Sequence, residues 1–283
     1  MVTGRKMKID TAQRTFGDER WVRKRDQDSW LRRTINDVRI ACLKRVVDHA
    51  PLTLVTGASD NHGEPLLRFL RSALDQEPHS AVVVYDLGLS RAHRDRISSH
   101  FPLRKFEFSA HPSYFDITKN HGQYAWKPTI IKKVADERPG HVICWMDAGH
   151  IIVEHLDNLR AAVAYNGFYS AVGYWYFGDW IHPGMLEFFQ LPPDWRYWNW
   201  TLTAGAVAFD TRRPKARRLL DDWASYSAIK ECIAPAGSNR ANHRQDQALL
   251  TLLAYRAGMV PLLAPTKLGF YNHQDKQTGW PTL

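Results

Sequence analysis

The sequence lacks any apolar run long enough to span a bilayer, and its first residues lack the apolar core of a secretory signal. These two absences lead us to expect a soluble, cytoplasmic protein. Its 3 cysteines are widely spaced and form no metal-ligand pattern, which argues against a disulfide framework. We expect Cys144, which lies inside an apolar run, to be a small core residue.

Internal repeats, low-complexity linkers and the glycine-rich nucleotide-binding motifs GxGxxG and GxxxxGK[ST] are also absent. At 283 residues with 44% hydrophobic content, the chain can bury a substantial core. Because no linker divides it, we predict a basic helical extension over residues 1–50 and a single domain over residues 51–283.

The net charge of +9 is concentrated near the start of the chain. Residues 1–50 hold 13 Lys and Arg against 7 Asp and Glu, whereas the remaining residues hold 25 against 22. This distribution argues against a nucleic-acid groove across the protein. Residues 18–49 carry an apolar stripe among basic residues. We favour a helix packed on the sheet, and the alternative is a peripheral contact with anionic lipid at the inner membrane face.

The chain then alternates between short apolar runs and helix-like segments. Predicted strands cover residues 52–56, 81–85, 105–108 and 142–146, and later 169–174 and 204–209. Predicted helices cover residues 65–75, 90–100, 124–137, 161–165, 214–226 and 242–257. Strands that alternate with helices through short connections predict an α/β fold, with a mostly parallel Rossmann-type central sheet and helices on both faces.

Acidic residues follow two of these strands. Asp147 comes directly after the apolar run 142–146, and Asp86 follows the run 81–85. Open parallel sheets bind ligands at the carboxyl ends of their strands, and a carboxylate there needs a cation or hydrogen-bond donors. The alternative for both residues is a turn or helix-capping role.

Two segments that precede predicted helices carry groups suited to a phosphate or a sugar. Residues 56–63 form a small polar loop with Gly57 and Gly63, where backbone N–H groups could approach a nucleotide. Lys127 stands before Pro128 at a helix start, so its ammonium either reaches a diphosphate or is solvated.

A polar cluster precedes the last predicted helix. His243 and Asp246 are three residues apart and share a helical face, with leucines behind them. This pattern places the helix start at a site or reflects ordinary capping. His273, in a late loop, is either a metal ligand or a solvated histidine.

Five of the 11 tryptophans fall within residues 174–200. Flat aromatic side chains stack on sugar rings, so Trp175, Trp180 and Trp198 are candidate acceptor-binding residues. A second core layer is the main alternative, and a membrane-contacting loop is another.

In order and spacing, these segments resemble the GT-A class of nucleotide-sugar glycosyltransferases over residues 51–275. The match includes the strings Trp126-Lys-Pro, Trp145-Met-Asp and His243-Arg-Gln-Asp-Gln. The resemblance implies a donor site made of Thr56, Gly57, Ala58, Ser59, Asn61, Asp86, Lys127, Asp147 and Gly149. It also implies a catalytic segment of His243, Asp246 and Gln247.

The resemblance further implies Mn²⁺ or Mg²⁺ held by Asp147 and His273. One departure matters, because Gly149, followed by His150, replaces the second aspartate of the Asp-x-Asp motif. Either Asp147 binds the metal with His273 and diphosphate oxygens, or the enzyme needs no metal.

The activity implied is transfer of a sugar from a nucleotide-diphospho-sugar to a hydroxyl of a glycan or glycolipid, as in polysaccharide biosynthesis. Asp246 is the general base in an inverting enzyme, or it positions the sugar in a retaining one. The rival interpretation is a non-catalytic nucleotide- or sugar-binding protein that keeps the fold. A sugar nucleotidyltransferase is disfavoured because residues 56–63 contain no Lys or Arg.

Overall fold

The structure is a computed structural model that describes residues 50–260 and 268–283, together with helical positions 34, 35, 37, 38, 41 and 42. Apart from those positions, the predicted helix over residues 18–49 lies outside the described residues, and its membrane contact stays a prediction. Within the described part of the chain, no helix is long and apolar enough to cross a membrane.

Strands in the described ranges form two sheets. In chain order they are Leu52–Ala58 (β1), Ala81–Asp86 (β2), Leu103–Lys105 (β3), Val142–Met146 (β4), Ile151–Ile152 (β5), Phe168–Tyr176 (β6), Trp200–Asp210 (β7) and Phe270–Tyr271 (β8). The larger sheet has the order β3-β2-β1-β4-β7-β6, and β5 pairs with β8. The first four strands of the larger sheet are parallel, and β7 runs antiparallel to β4 and β6.

Helices connect and cover these strands. In chain order the α-helices are Gly63–Gln76 (α1), Arg91–Ser98 (α2), Trp126–Glu137 (α3), Asp157–Asn166 (α4), Phe177–Trp180 (α5), Pro183–Phe188 (α6), Pro214–Ser227 (α7), Lys230–Ile233 (α8) and Gln245–Arg256 (α9). Short 3-10 turns lie at Asp60–His62, Phe108–Ala110, Ser113–Phe115 and Asn120–Tyr124.

The side chains of β4 alternate between two buried clusters. Ile143 and Trp145 pack in a cluster with α3, α7 and α9. Cys144 and Met146 pack in a second cluster with α1 and α4. Both faces of the sheet are therefore covered, which explains why β4 is an unbroken apolar run. The predicted α/β fold with a mostly parallel central sheet flanked by helices is confirmed.

The predicted third strand was misplaced. Residues 105–108 were expected to pair, but β3 covers Leu103–Lys105. Phe106 is buried and lies against Phe108 and His111, with ring centroids 4.8 Å away in each case. Phe108 therefore begins a 3-10 turn beside the sheet, and Phe106 lies just past the end of β3, where its backbone N–H still donates to the Asp86 carbonyl at 3.2 Å.

A buried ion pair joins α1 to α4. The Arg160 guanidinium donates two parallel hydrogen bonds to Glu77, at 2.9 and 2.7 Å. The backbone N–H of Leu156 donates to the same carboxylate at 2.6 Å. Burial opposes the charge on Glu77, but these donors outweigh it and lower the pKa of Glu77.

Candidate active site

The carboxyl ends of β1, β2 and β4 meet at one edge of the sheet. Ala58 pairs with Asp86, and Val55 pairs with Trp145 two residues before Asp147. The acidic residues that follow β4 and end β2 therefore lie at the edge where parallel sheets bind ligands.

Asp147 is fixed in place but accessible. The indole Nε1 of Trp145 donates to its Oδ1 at 2.6 Å, and its own backbone N–H donates to the Gly205 carbonyl at 2.8 Å. Its side chain is 41% exposed. A Cβ at Gly205 would lie 3.2 Å from Asp147 Oδ2, so the glycine leaves room beside the carboxylate. Asp147 therefore presents one carboxylate oxygen to the edge of the sheet.

Lys127 is buried in α3, and its ammonium lies between two carboxylates. Nζ is 3.1 Å from Asp147 Oδ1 and 3.6 Å from Asp246 Oδ2, and it donates to the Ala204 carbonyl at 3.1 Å. Burial alone would lower the pKa of Lys127, but the two carboxylates more than offset it and raise the pKa. The structure therefore directs this ammonium to protein acceptors, and it is not the solvated lysine that was one alternative.

Asp246 lies in the first turn of α9 and is almost fully buried. Its Oδ2 makes no hydrogen bond to any described residue. Burial, assisted by the nearby Asp147 charge, raises the pKa of Asp246 to about 6 in spite of Lys127. A carboxyl group that titrates near neutral pH can accept a proton from a substrate hydroxyl.

A left-handed turn precedes the helix that carries Lys127. Asn120, His121, Gln123 and Tyr124 have φ between 48° and 55°, and Gly122 has a φ of 61°. A non-glycine residue pays roughly 1–2 kcal/mol for this conformation. A Cβ at Gly122 would overlap the Phe115 carbonyl. The turn places the ring of Tyr124 5.5 Å from Lys127 Nζ, and strain stored beside ionised groups is typical of functional sites.

His243 lies inside the fold rather than at the surface of the site. Its Nε2–H donates to the Ile233 carbonyl at 2.9 Å, and its Nδ1 accepts from the His182 backbone N–H at 3.2 Å. Burial lowers the pKa of His243 to about 4, so the ring is neutral. In this arrangement, His243 anchors the segment before α9, whereas Gln247 is partly exposed beside Asp246.

The predicted donor residues divide into buried and accessible groups. Thr56 and Ala58 are buried within β1, which continues two residues beyond the predicted strand end. A Cβ at Gly57 would come within 2.9 Å of the Tyr85 carbonyl, so close strand packing requires glycine there. Ser59 donates a hydrogen bond to Asn61 at 2.7 Å, and both remain accessible.

Asp86 acts within its own turn. Its Oδ1 accepts from the backbone N–H groups of Gly88 and Leu89, at 2.8 and 2.7 Å. Its Oδ2 lies 3.6 Å from the Arg94 guanidinium. These contacts favour the turn-capping alternative, whereas Ser90 caps α2.

The residues present fit a divalent cation incompletely. Lys127 and Trp145 already contact Asp147 Oδ1. His150 lies between Asp147 and His273, and its Nδ1 is 3.0 Å from the Asp147 carbonyl. Among the described residues, no group of three His, Cys, Asp or Glu side chains is placed to hold a metal. Metal binding by Asp147 and His273 therefore stays a prediction.

The three predicted acceptor tryptophans differ in exposure. Trp175 and Trp198 are 53% and 62% exposed. Trp180 is half-buried, and the Arg244 guanidinium lies 4.0 Å from its ring centroid. Trp175 meets Trp180 edge-on at 5.9 Å, and Trp198 meets Tyr176 edge-on at 5.5 Å. Trp175 and Trp198 are therefore surface rings, whereas Trp180 is partly buried, and the acceptor role of all three stays a prediction.

Comparison with known proteins gives one family match and several similar folds. Residues 35–132 match a family described as "Protein of unknown function (DUF1647)". No curated protein matches the chain. Similar solved structures include the bifunctional glycosyltransferase WbbM, with 12% identity and a TM-score of 0.43 over 72% of this chain and 38% of that one. This chain therefore spans less than half the length of the WbbM chain.

Two further similar structures are also of glycosyltransferases. The galactosyltransferase LgtC, in complex with donor and acceptor sugar analogues, has 13% identity and a TM-score of 0.47 over 78% of this chain and 86% of that chain. GlyE of Streptococcus pneumoniae TIGR4 has 11% identity and a TM-score of 0.41 over 72% of this chain and 43% of that chain.

Several residues that build the site were not predicted from the sequence. Trp145 orients Asp147, Tyr124 borders Lys127, and His150 lies beneath the Asp147 carbonyl. Asp275 lies against Gly149. The first three lie within or beside segments that already carried a prediction, but Asp275 had no local signal.

Proposed function

We propose that the protein is a GT-A-type glycosyltransferase that moves a sugar from a nucleotide-diphospho-sugar to a hydroxyl of a glycan or glycolipid. The cluster of Asp147, Lys127 and Asp246 at the carboxyl edge of the parallel strands carries this proposal. It combines an accessible carboxylate with a buried carboxyl group of raised pKa. Two carboxyl groups in contrasting environments suit a reaction that needs both charge stabilisation and proton transfer.

In the proposed reaction, the acceptor hydroxyl loses its proton to Asp246 if the enzyme inverts the anomeric centre. If the enzyme retains configuration, Asp246 positions the donor sugar or stabilises the positive charge that develops on it. Lys127 holds both carboxylates at fixed distances and keeps their mutual repulsion small. His243 positions the segment before α9, and Gln247 borders the donor sugar.

Basic side chains near the start of α9 suit the diphosphate leaving group. Arg240 donates a hydrogen bond to the Tyr124 hydroxyl at 2.5 Å, and Arg244 lies over Trp180. Planar guanidinium groups bind phosphate oxygens through parallel hydrogen bonds. Ser59 and Asn61 are the accessible donor-loop residues, and Trp175 and Trp198 provide faces on which acceptor sugars can stack.

We also propose a cytoplasmic role in polysaccharide biosynthesis, with residues 18–49 in peripheral contact with anionic lipid at the inner face of the membrane. The charge surplus of residues 1–50 supports this proposal. A partnership with nucleic acid is not proposed, because the rest of the chain is nearly neutral.

The test is turnover of UDP-, GDP- and CDP-sugars by the purified full-length chain, with release of the nucleoside diphosphate as the readout. Asp246→Asn should lower kcat by roughly 10²–10⁴, as expected for the loss of a general base, while donor affinity changes little. Asp147→Asn should weaken donor binding as well as turnover. Asp95→Asn, at an exposed surface pair with Arg91, is the matched control and should retain full activity.

A non-catalytic nucleotide- or sugar-binding protein is the second candidate. Contacts from Lys127 and Trp145 to Asp147 Oδ1, together with Gly149 in place of an acid, favour it. This candidate predicts that the wild-type chain binds a nucleotide sugar without any turnover and that Asp246→Asn leaves binding unchanged. A wild-type chain that binds no nucleotide sugar contradicts both candidates.

A further inference from the structure

The β5–β8 ribbon brings a late segment of the chain against the loop of residues 147–150, called here the Asp147 loop. β5 follows this loop directly, and its partner β8 ends at Tyr271. The Gln274 backbone N–H then donates to the Gly149 carbonyl at 2.7 Å. His273 has a φ of 56°, and this left-handed residue turns the chain toward the site.

The carboxylate of Asp275 fills the space that a side chain at position 149 would need. A Cβ built on Gly149 would lie only 2.5 Å from Asp275 Cγ and from Oδ2. A real Cβ does not approach heavy atoms that closely, so a side chain at position 149 would displace the Asp275 carboxylate from this position. A carboxylate from the distant end of the chain therefore borders the backbone two residues after Asp147.

Asp275 is held by its backbone, while one of its carboxylate oxygens has no protein partner. Arg68 donates to the Asp275 carbonyl at 2.9 Å, and His62 Nε2 is 3.8 Å from Oδ1. Oδ2 makes no hydrogen bond to the residues in the described ranges, and the side chain is 36% exposed. Since His62 ends the turn that follows β1, the carboxylate lies between that turn and the Asp147 loop.

We infer that Asp275 binds the nucleotide-sugar donor directly, its carboxylate accepting hydrogen bonds from donor hydroxyl groups. The inference rests on the proposed glycosyltransferase function and adds a binding residue to it. A carboxylate with an unpartnered oxygen forms strong, charge-assisted hydrogen bonds to hydroxyl donors. Direct contact is favoured over a bridging cation because no group of three metal-ligating side chains is assembled in the part of the chain that the structure describes.

The test measures donor affinity by calorimetry on the full-length chain, using UDP-glucose, UDP-galactose, UDP-N-acetylglucosamine and GDP-mannose, each in EDTA and in Mn²⁺. For the nucleotide sugar that the wild type binds, Asp275→Asn should raise Kd about tenfold or more, equally in both conditions. Gly149→Ala should have the same effect, because its Cβ displaces the carboxylate. Two control variants, Asp95→Asn and Gly279→Ala, should bind as the wild type does, since Asp95 lies in an exposed surface pair and a Cβ at Gly279 would meet nothing within 4 Å.

Three results overturn the inference. Unchanged affinity in Asp275→Asn, with normal wild-type binding, overturns it alone and leaves the proposed function intact. A loss of affinity seen only with Mn²⁺ shows that the carboxylate acts through a cation. Wild-type chain that binds none of the four nucleotide sugars overturns the proposed function and this inference together. If Gly149→Ala fails to fold, Asp275→Asn decides alone, because asparagine has nearly the shape of aspartate.

Discussion

The raised pKa of Asp246 makes one pH-dependent contribution to the protein's stability. Burial raises this pKa from its ordinary value of 3.8 to about 6. Between these pH values the folded chain keeps a proton on Asp246 that the unfolded chain has released, so the contribution of Asp246 to stability falls as pH rises. At about 1.4 kcal/mol per pH unit, the ionised carboxylate costs the folded state about 3 kcal/mol above pH 6.

Asp246→Asn removes this cost, because the amide resembles the protonated acid and still offers an oxygen to Lys127. The free energies of unfolding of wild type and variant should nearly agree below pH 4. The variant should become more stable by about 3 kcal/mol at pH 8, with most of the change between pH 4 and pH 6. Urea unfolding at pH 4, 6 and 8 measures the difference.

The control for this series is Asp95→Asn, which alters an exposed surface pair and should change the free energy of unfolding by less than about 1 kcal/mol. An Asp246→Asn difference that is the same at pH 4 and pH 8 would show that the pKa of Asp246 is not raised in the folded chain. An Asp246→Asn variant that is less stable than the wild type at pH 8 would contradict the raised pKa equally. A more stable variant that has lost turnover would show that the site gives up stability for activity.

Three further substitutions test other parts of the structure. Lys127→Met should lower the free energy of unfolding in urea at pH 8 by about 3–5 kcal/mol, because two carboxylates lose their cation. The control Lys132→Met, at a surface pair, should lower it by less than about 1 kcal/mol. Glu77→Gln should cost about 3–5 kcal/mol by the same measurement, since it leaves the Arg160 guanidinium with only the exposed Asp157 as an ion-pair partner, and a loss below about 1 kcal/mol would contradict this expectation. Gly122→Ala should lower the melting temperature through its left-handed φ and the overlap with a carbonyl, whereas Gly279→Ala should not change it.

Strands of the sheet interior were predictable because burial on both faces leaves a continuous apolar run. The bounds of β4 agree with the predicted run 142–146. β2 extends one residue beyond its own predicted run, 81–85. The prediction was wrong for β3, because local apolar content does not distinguish a ladder strand from aromatic residues packed in 3-10 turns. The late helix α9 begins at Gln245, three residues after its predicted start, where a left-handed residue interrupts the helical pattern.

The sequence by itself determined the alternation of strands and helices, and therefore the sheet edge at which Asp147 lies. It also marked Asp246 as a polar residue in front of an apolar helical stripe. These inferences depend only on neighbouring residues, since strand and helix periods are local properties of the chain.

Only the tertiary structure decided what the charged groups do, because each meets partners that are distant in the sequence. Lys127 carries the same local pattern whether it is solvated or buried, and only its tertiary contacts with Ala204 of β7, Asp147 and Asp246 of α9 place its ammonium between two carboxylates. The raised pKa of Asp246 follows from the burial of its own carboxyl group, which outweighs the nearby Lys127 charge. Asp275 reaches Gly149 only because the short β5–β8 ribbon pairs there, and two two-residue strands leave almost no periodic pattern in a sequence.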